Sequence, residues 1–167
     1  MGAHPWSYFV PYQPDIQAAM ESLQQREFAA GRYHSRRTHD PSLPRPTSIE
    51  DLRANYLTEE GSRSILDMIA VADQPGTGAF AEELTGLMEE SPEMADLFGS
   101  EMSDFCTAVR MPDEELQRLF GTTRPTRQMI ENNPDYNENI GRGCGIYIIV
   151  YEEEIPEEIF FAGYSFD

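Results

Sequence analysis

Within nine residues, Arg32-Tyr33-His34-Ser35-Arg36-Arg37-Thr38-His39-Asp40 gathers three arginines and two of the chain's three histidines. Guanidinium forks pair bidentately with carboxylate or phosphate, and imidazoles add charge that varies with pH near neutrality. Arg32, His34, Arg36, Arg37 and His39 therefore form a candidate anion-binding group. The competing reading is a solvated loop whose arginines pair with the protein's own acids, where each exposed pair contributes only about 0–1 kcal/mol. His34, His39 and Asp40 lack the fourth ligand and the spacing of a zinc site, so no metal ligand is assigned.

The opposite charge collects near the end of the chain. Glu152-Glu153-Glu154-Ile155-Pro156-Glu157-Glu158 sets five carboxylates in seven residues. Such a knob is suited to a basic pocket on another protein, where complementary charge speeds encounter and selects the partner. If further acids continued the row, it would imitate nucleic-acid phosphates. A charged tip with a proline also keeps apolar strands soluble and stops their edges from pairing between molecules. Glu152, Glu153, Glu154, Glu157 and Glu158 are the candidate partner-binding residues.

Two further groups carry potential chemistry. Gly141-Arg142-Gly143-Cys144-Gly145 is glycine-rich, but a strand pattern follows it, whereas phosphate-binding glycine loops open a helix. Cys144 beside Arg142 would have its thiol activated and, with His34 or His39, could form a nucleophile and base; otherwise the glycines let the chain enter a sheet. Glu27 falls on the apolar face of a helical stripe. There it would be either a carboxyl with a raised pKa or, near the helix end, a solvated side chain whose contact passes to Phe28. A nucleophile elbow, H-E-x-x-H, an EF-hand loop and a helix-turn-helix pattern are absent, so no catalytic residue and no cofactor are assigned.

These groups need elements to position them. Trp6 to Val10 is aromatic and β-prone and predicts a strand ending at Pro11. Pro14, Asp15 and the spacing of Ile16, Ala19, Met20 and Leu23 predict a helix stopping at Gly31. The prolines of residues 33–47 predict an irregular loop, after which Ser48 caps a helix from Ile49 to about Tyr56 with Asp51 at the capping-box position. Arg63 to Ala72 is a continuous apolar run read as a strand. Phe80, Leu84, Leu87 and Met88 form a helical stripe, and Pro92 to Gly99 a second short helix. Phe105 to Met111 reads as a strand, and Pro112 opens a helix carrying Leu116, Leu119 and Phe120 before Gly121. A helical turn is expected within Pro125 to Asn132. Gly145–Tyr151 and Glu158–Tyr164 form the clearest strands, joined by a long loop from Glu152 to Glu157. Both are apolar on both faces, so both must be covered twice, as central strands or by packing against a partner, and the hairpin is read as central.

The 167 residues suffice for one α+β domain, residues 1–167, with a mostly antiparallel sheet of about four or five strands and short helices packed on it. Apolar residues make up 40% of the chain, too many for disorder. Thirty acids face twelve basic residues, every one an arginine, for a net charge of −18. Residues 1–63 hold seven Arg and eight acids; residues 64–167 hold five Arg and twenty-two, so the acidity belongs to the last two thirds. A lysine-poor genome or adaptation to salt would produce the same bias. General nucleic-acid or anionic-membrane binding is not expected from such a surface. Two cysteines, Cys106 and Cys144, are too few for a disulfide framework. With no signal or spanning segment, the chain reads as cytoplasmic; its oligomeric state is not legible. The functional expectation is a non-enzymatic, acidic protein-binding domain of inhibitor, immunity or adaptor type that engages a basic site on a partner protein. The alternative is a small enzyme or anionic-ligand-binding domain built on loop 32–39, with Cys144.

Overall fold

The computed structural model describes residues 3–54, 61–82, 85 and 100–166. The expected helices between Leu84 and Gly99, and the end of the helix near Tyr56, lie outside these residues. A five-stranded sheet organises the rest. Its strands are β1 (Pro5–Pro11), β2 (Ala70–Ala72), β3 (Thr107–Arg110), β4 (Gly145–Glu152) and β5 (Ile155–Tyr164), in the spatial order β1-β5-β4-β3-β2. The C-terminal hairpin is central, as its doubly apolar strands require.

The sheet is mixed rather than mostly antiparallel. β1 pairs with β5 and β5 with β4 antiparallel, but β4 with β3 and β3 with β2 run parallel. Parallel neighbours need a crossover of a dozen or more residues. Residues 111–144 supply one such crossover, with α4 (Asp113–Phe120), α5 (Arg127–Asn132) and a 3-10 turn at Pro134–Asn137.

Strand alternation distributes side chains to two cores. On one face Trp6, Tyr147, Ile159 and Phe161 meet Met20 and Leu23 of α1 (Ile16–Ala29). On the other, Ile148, Val150, Phe160 and Ala162 meet Leu116 of α4 and Ile130 of α5. Helix termini follow the sequence chemistry. The Asp15 side chain accepts from the Ala18 N–H to cap α1, Ser48 accepts from the Asp51 N–H to cap α3 (Ile49–Arg53), and Gly121 closes α4 in the left-handed conformation at φ 70°. Inside the proline-rich loop, Ser35 caps a single turn, α2 (Arg36–His39).

Two local expectations fail. The run Arg63–Ala72 is not one strand: Ile65–Asp67 is a 3-10 turn capped by Ser64, and only Ala70–Ala72 pairs. Side chains take the carbonyls that a ladder would use. Gln24 Nε2 donates to Ile65 O (2.9 Å) and Met68 O (2.6 Å), and the Arg53 guanidinium donates to Leu66 O and Met68 O. The hairpin connection is not a long loop either. It is a two-residue turn at Glu153 (φ 48°) and Glu154 (φ 66°), the left-handed pair that matches strand twist in tight hairpins, here without the usual Asn or Gly.

Candidate functional site

Two arginines of the loop are committed to the protein's own carboxylates. Glu27, at the end of α1, is buried at 3% side-chain exposure and accepts both prongs of Arg32 at 2.8 Å, with Arg26 Nε at 3.2 Å. Its pKa is therefore lowered, chiefly by the Arg32 hydrogen bonds, which outweigh the opposing effect of burial. Glu27 is neither a solvated side chain nor a carboxyl with a raised pKa. Arg37 is likewise committed: its two terminal nitrogens meet the two oxygens of Asp51 at 3.0 and 2.9 Å, and its Nε donates to Pro44 O. This fork and the Thr47 N–H pull the Asp51 carboxyl far below the usual range and fasten the loop to α3. The His34 and His39 rings lie 5.0 Å apart, and the backbone N–H of His34 donates to Ser62 O. Arg36 and His39 are exposed. The five candidate anion-binding residues thus do not converge: Arg32 and Arg37 serve different internal acids, and Arg36 is exposed on α2.

The glycine segment makes room for aromatic rings. A Cβ on Gly143, whose φ is +71°, would lie 2.2 Å from Phe105, and one on Gly163 would lie 2.2 Å from Trp6 Cζ2. Gly145, paired with Gly163 across β4 and β5, is in contact distance of the same indole. Packing, more than flexibility, is the reason for these glycines. Cys106 is buried, and burial pushes its thiol up to about 12, with the Asp67 carboxylate adding to the rise. Cys144 lines a crevice walled by residues 75, 104, 109–112, 115, 136, 139–141 and 144–146, to which loop 32–40 contributes nothing. The shared cavity that a thiol–imidazole pair requires is not formed.

The acidic hairpin end is the third feature. β1 stops opposite Glu158 and β3 stops opposite Tyr147, so in the sheet ladder residues 151, 152, 155 and 156 have only each other as strand partners and extend past both neighbouring strands. Two arginines from the β3–β4 crossover brace this arm. Arg124 Nη1 donates to Glu154 at 2.8 Å, with its guanidinium over the Tyr151 ring. Arg127 donates to Glu158 at 2.8 Å and to Glu131 at 2.9 Å while lying 4.1 Å above the Phe9 ring. Backbone bonds from Tyr151 N to Pro125 O and from Tyr12 N to Glu157 O complete the brace. The five glutamates therefore divide. Glu154 and Glu158 hold the arm, whereas Glu152, Glu153 and Glu157 are exposed with no salt bridge among the described residues. Between them stands Ile155, opposite Glu152 and 64% exposed. Sequence reasoning passed over Ile155, Arg124 and Arg127; a lone aliphatic residue inside an acidic run was the available signal for the first.

Among the described residues no helix is long and apolar enough to cross a membrane, and no group of three or more His, Cys, Asp or Glu is placed to hold a metal ion. Comparison with protein-family models, with curated proteins and with solved structures yields no match, so the functional reading rests on this geometry alone.

Proposed function

We propose that this chain is a non-enzymatic, acidic protein-binding domain of inhibitor, immunity or adaptor type that presents its hairpin arm to a basic site on a partner protein. The observation that carries the reading is the arm itself: Glu152, Glu153 and Glu157 flank an exposed Ile155 on a two-stranded projection tied to the crossover by Arg124, Arg127 and the Tyr151–Pro125 backbone bond. An apolar anchor ringed by charge matches the division of labour in protein interfaces. A buried central residue supplies most of the affinity, and the charged rim governs encounter rate and partner choice. Bracing lowers the ordering cost of binding, because the arm does not have to be immobilised by its partner. The net charge of −17 carried by residues 64–167 adds a long-range field of the same sign.

The anion-binding alternative at Arg32, His34, Arg36, Arg37 and His39 ranks second, because internal carboxylates already hold Arg32 and Arg37. The test is affinity capture from the native host, followed by binding measured with the purified partner over a salt series. Glu152, Glu153 and Glu157 changed together to Gln should slow association and flatten its salt dependence, since rim charges are screened over about 8 Å at physiological ionic strength. Ile155→Ser should mainly speed dissociation. Glu154 and Glu158 are left intact so that the arm keeps its brace. A partner retained with unchanged kinetics by both variants would refute the reading.

A further inference from the structure

The crevice beside Cys144 is a second feature, separate from the arm. It encloses about 320 Å³, at the small end of the roughly 300–1,000 Å³ typical of ligand pockets. Its floor is the sheet face at Val109 and Ile146, and Met111, Tyr136 and Ile140 from the β3–β4 crossover rise beside it. A ligand here would therefore bury a mainly apolar body.

The polar groups at the rim select the head group. Asp104 already accepts from the Gly76 and Gly78 N–H groups, and Glu115 accepts both prongs of Arg118 and the Asn139 side-chain amide. These carboxylates have little to offer a ligand except their negative charge. Arg110 differs: of its guanidinium donors, one terminal nitrogen is bonded to Asp113 at 3.0 Å. The rim thus provides N–H donors within a predominantly negative surround. An anionic head would meet Arg110 but be repelled by Asp104, Glu115 and the field of the acidic chain. A cationic head would be drawn by that negative charge but set against the Arg110 guanidinium, to which it can offer no acceptor. A neutral carbonyl or amide oxygen gains the donors without either penalty.

We propose that this crevice binds a small, uncharged, mainly apolar molecule whose carbonyl or amide oxygen accepts from Arg110, with Cys144 in its wall. Three probes sharing one ring system separate the head groups: 1-naphthamide, 1-naphthoate and protonated 1-naphthylmethylamine. Calorimetric titration of the full chain should show saturable one-site binding of the amide, with the acid and the ammonium each at least tenfold weaker. Because Cys144 lines the crevice, saturating amide should slow its alkylation by iodoacetamide several-fold.

Gly141 also lines the crevice, and a Cβ there meets only Cys144 Sγ at an ordinary 3.6 Å. Gly141→Leu should therefore fill the space and abolish amide binding without lowering the melting temperature. Arg110→Leu should weaken the amide about tenfold and keep residual binding through the ring, which covers the case in which Gly141→Leu does not fold. Absence of saturable binding, unchanged Cys144 alkylation at saturating amide, or full affinity in Arg110→Leu would overturn the proposal. Tighter binding of naphthoate than of the amide would overturn the assignment of a neutral head.

Discussion

Removing residues 145–167 should abolish folding rather than trim a tail. Six side chains of this segment, Tyr147, Ile148, Val150, Ile159, Phe160 and Phe161, are at most 2% exposed. Burying each contributes about 1.5–3 kcal/mol, on the order of 10–20 kcal/mol together, against a typical net stability of about 5–15 kcal/mol. The geometric loss is as severe. β4 and β5 lie between β1 and β3, so truncation takes from β1 its sheet partner, β5, and separates it from the parallel strands. Both cores lose members at once, Tyr147, Ile159 and Phe161 from one and Ile148, Val150, Phe160 and Ala162 from the other. The assay is far-UV circular dichroism and thermal melting of residues 1–144 beside the full chain, with Phe161→Ala as a graded companion expected to cost about 3–5 kcal/mol. A cooperative melt of the truncated chain within a few degrees of the full one would refute the reasoning. So would a Phe161→Ala penalty below about 1 kcal/mol, far under the cost of emptying a buried aromatic site.

Other consequences are open to direct measurement. Gly163→Ala forces a Cβ to 2.2 Å from Trp6 and 2.7 Å from the Cys144 carbonyl oxygen. It should lower stability in urea by about 1–3 kcal/mol, with Trp6→Phe in the same chain showing non-additive relief. Asp51 is held below its unfolded pKa of about 3.9, so the folded state binds its proton less tightly than the unfolded chain does. That stabilisation is present above about pH 4 and is lost as the pH falls through the folded pKa. Asp51→Asn should therefore be less stable than the parent near neutral pH, and the gap measured by urea unfolding should narrow towards about pH 2; a gap that stays constant would contradict the Arg37 linkage. With the Cys106 thiol pushed up to about 12 and buried, a thiol–disulfide reagent near pH 8 should modify Cys144 alone in the folded chain and both cysteines in denaturant. Equal reactivity of the two folded-state thiols would show that Cys106 is more accessible than its packing implies.

Much of the local structure was legible in the chain, because its causes act over a few residues. Asp15 and Gly31 bracket α1, Pro112 and Gly121 bracket α4, and the doubly apolar runs 145–151 and 158–164 demand cover on both faces and so a central place in the sheet. The charge asymmetry and the acidic run were likewise evident from composition. What composition and spacing do not encode is which distant group meets which. The apolar run 63–72 is broken by Gln24, some 41 residues away from Ile65, whose side chain takes the carbonyls a strand would have shared. Glu27 sits at a core position because Arg32 and Arg26 reach it with geometry that offsets its desolvation. The acidic tip separates into braces and open carboxylates only because the β3–β4 crossover delivers Arg124 and Arg127 beside it, about 30 residues distant in sequence. Periodicity reports which face of an element is apolar, a property of neighbours along the chain. Parallel pairing, ion-pair partners and the crevice beside Cys144 depend on crossovers that bring together segments with no local signal for each other, and tertiary packing alone decided them.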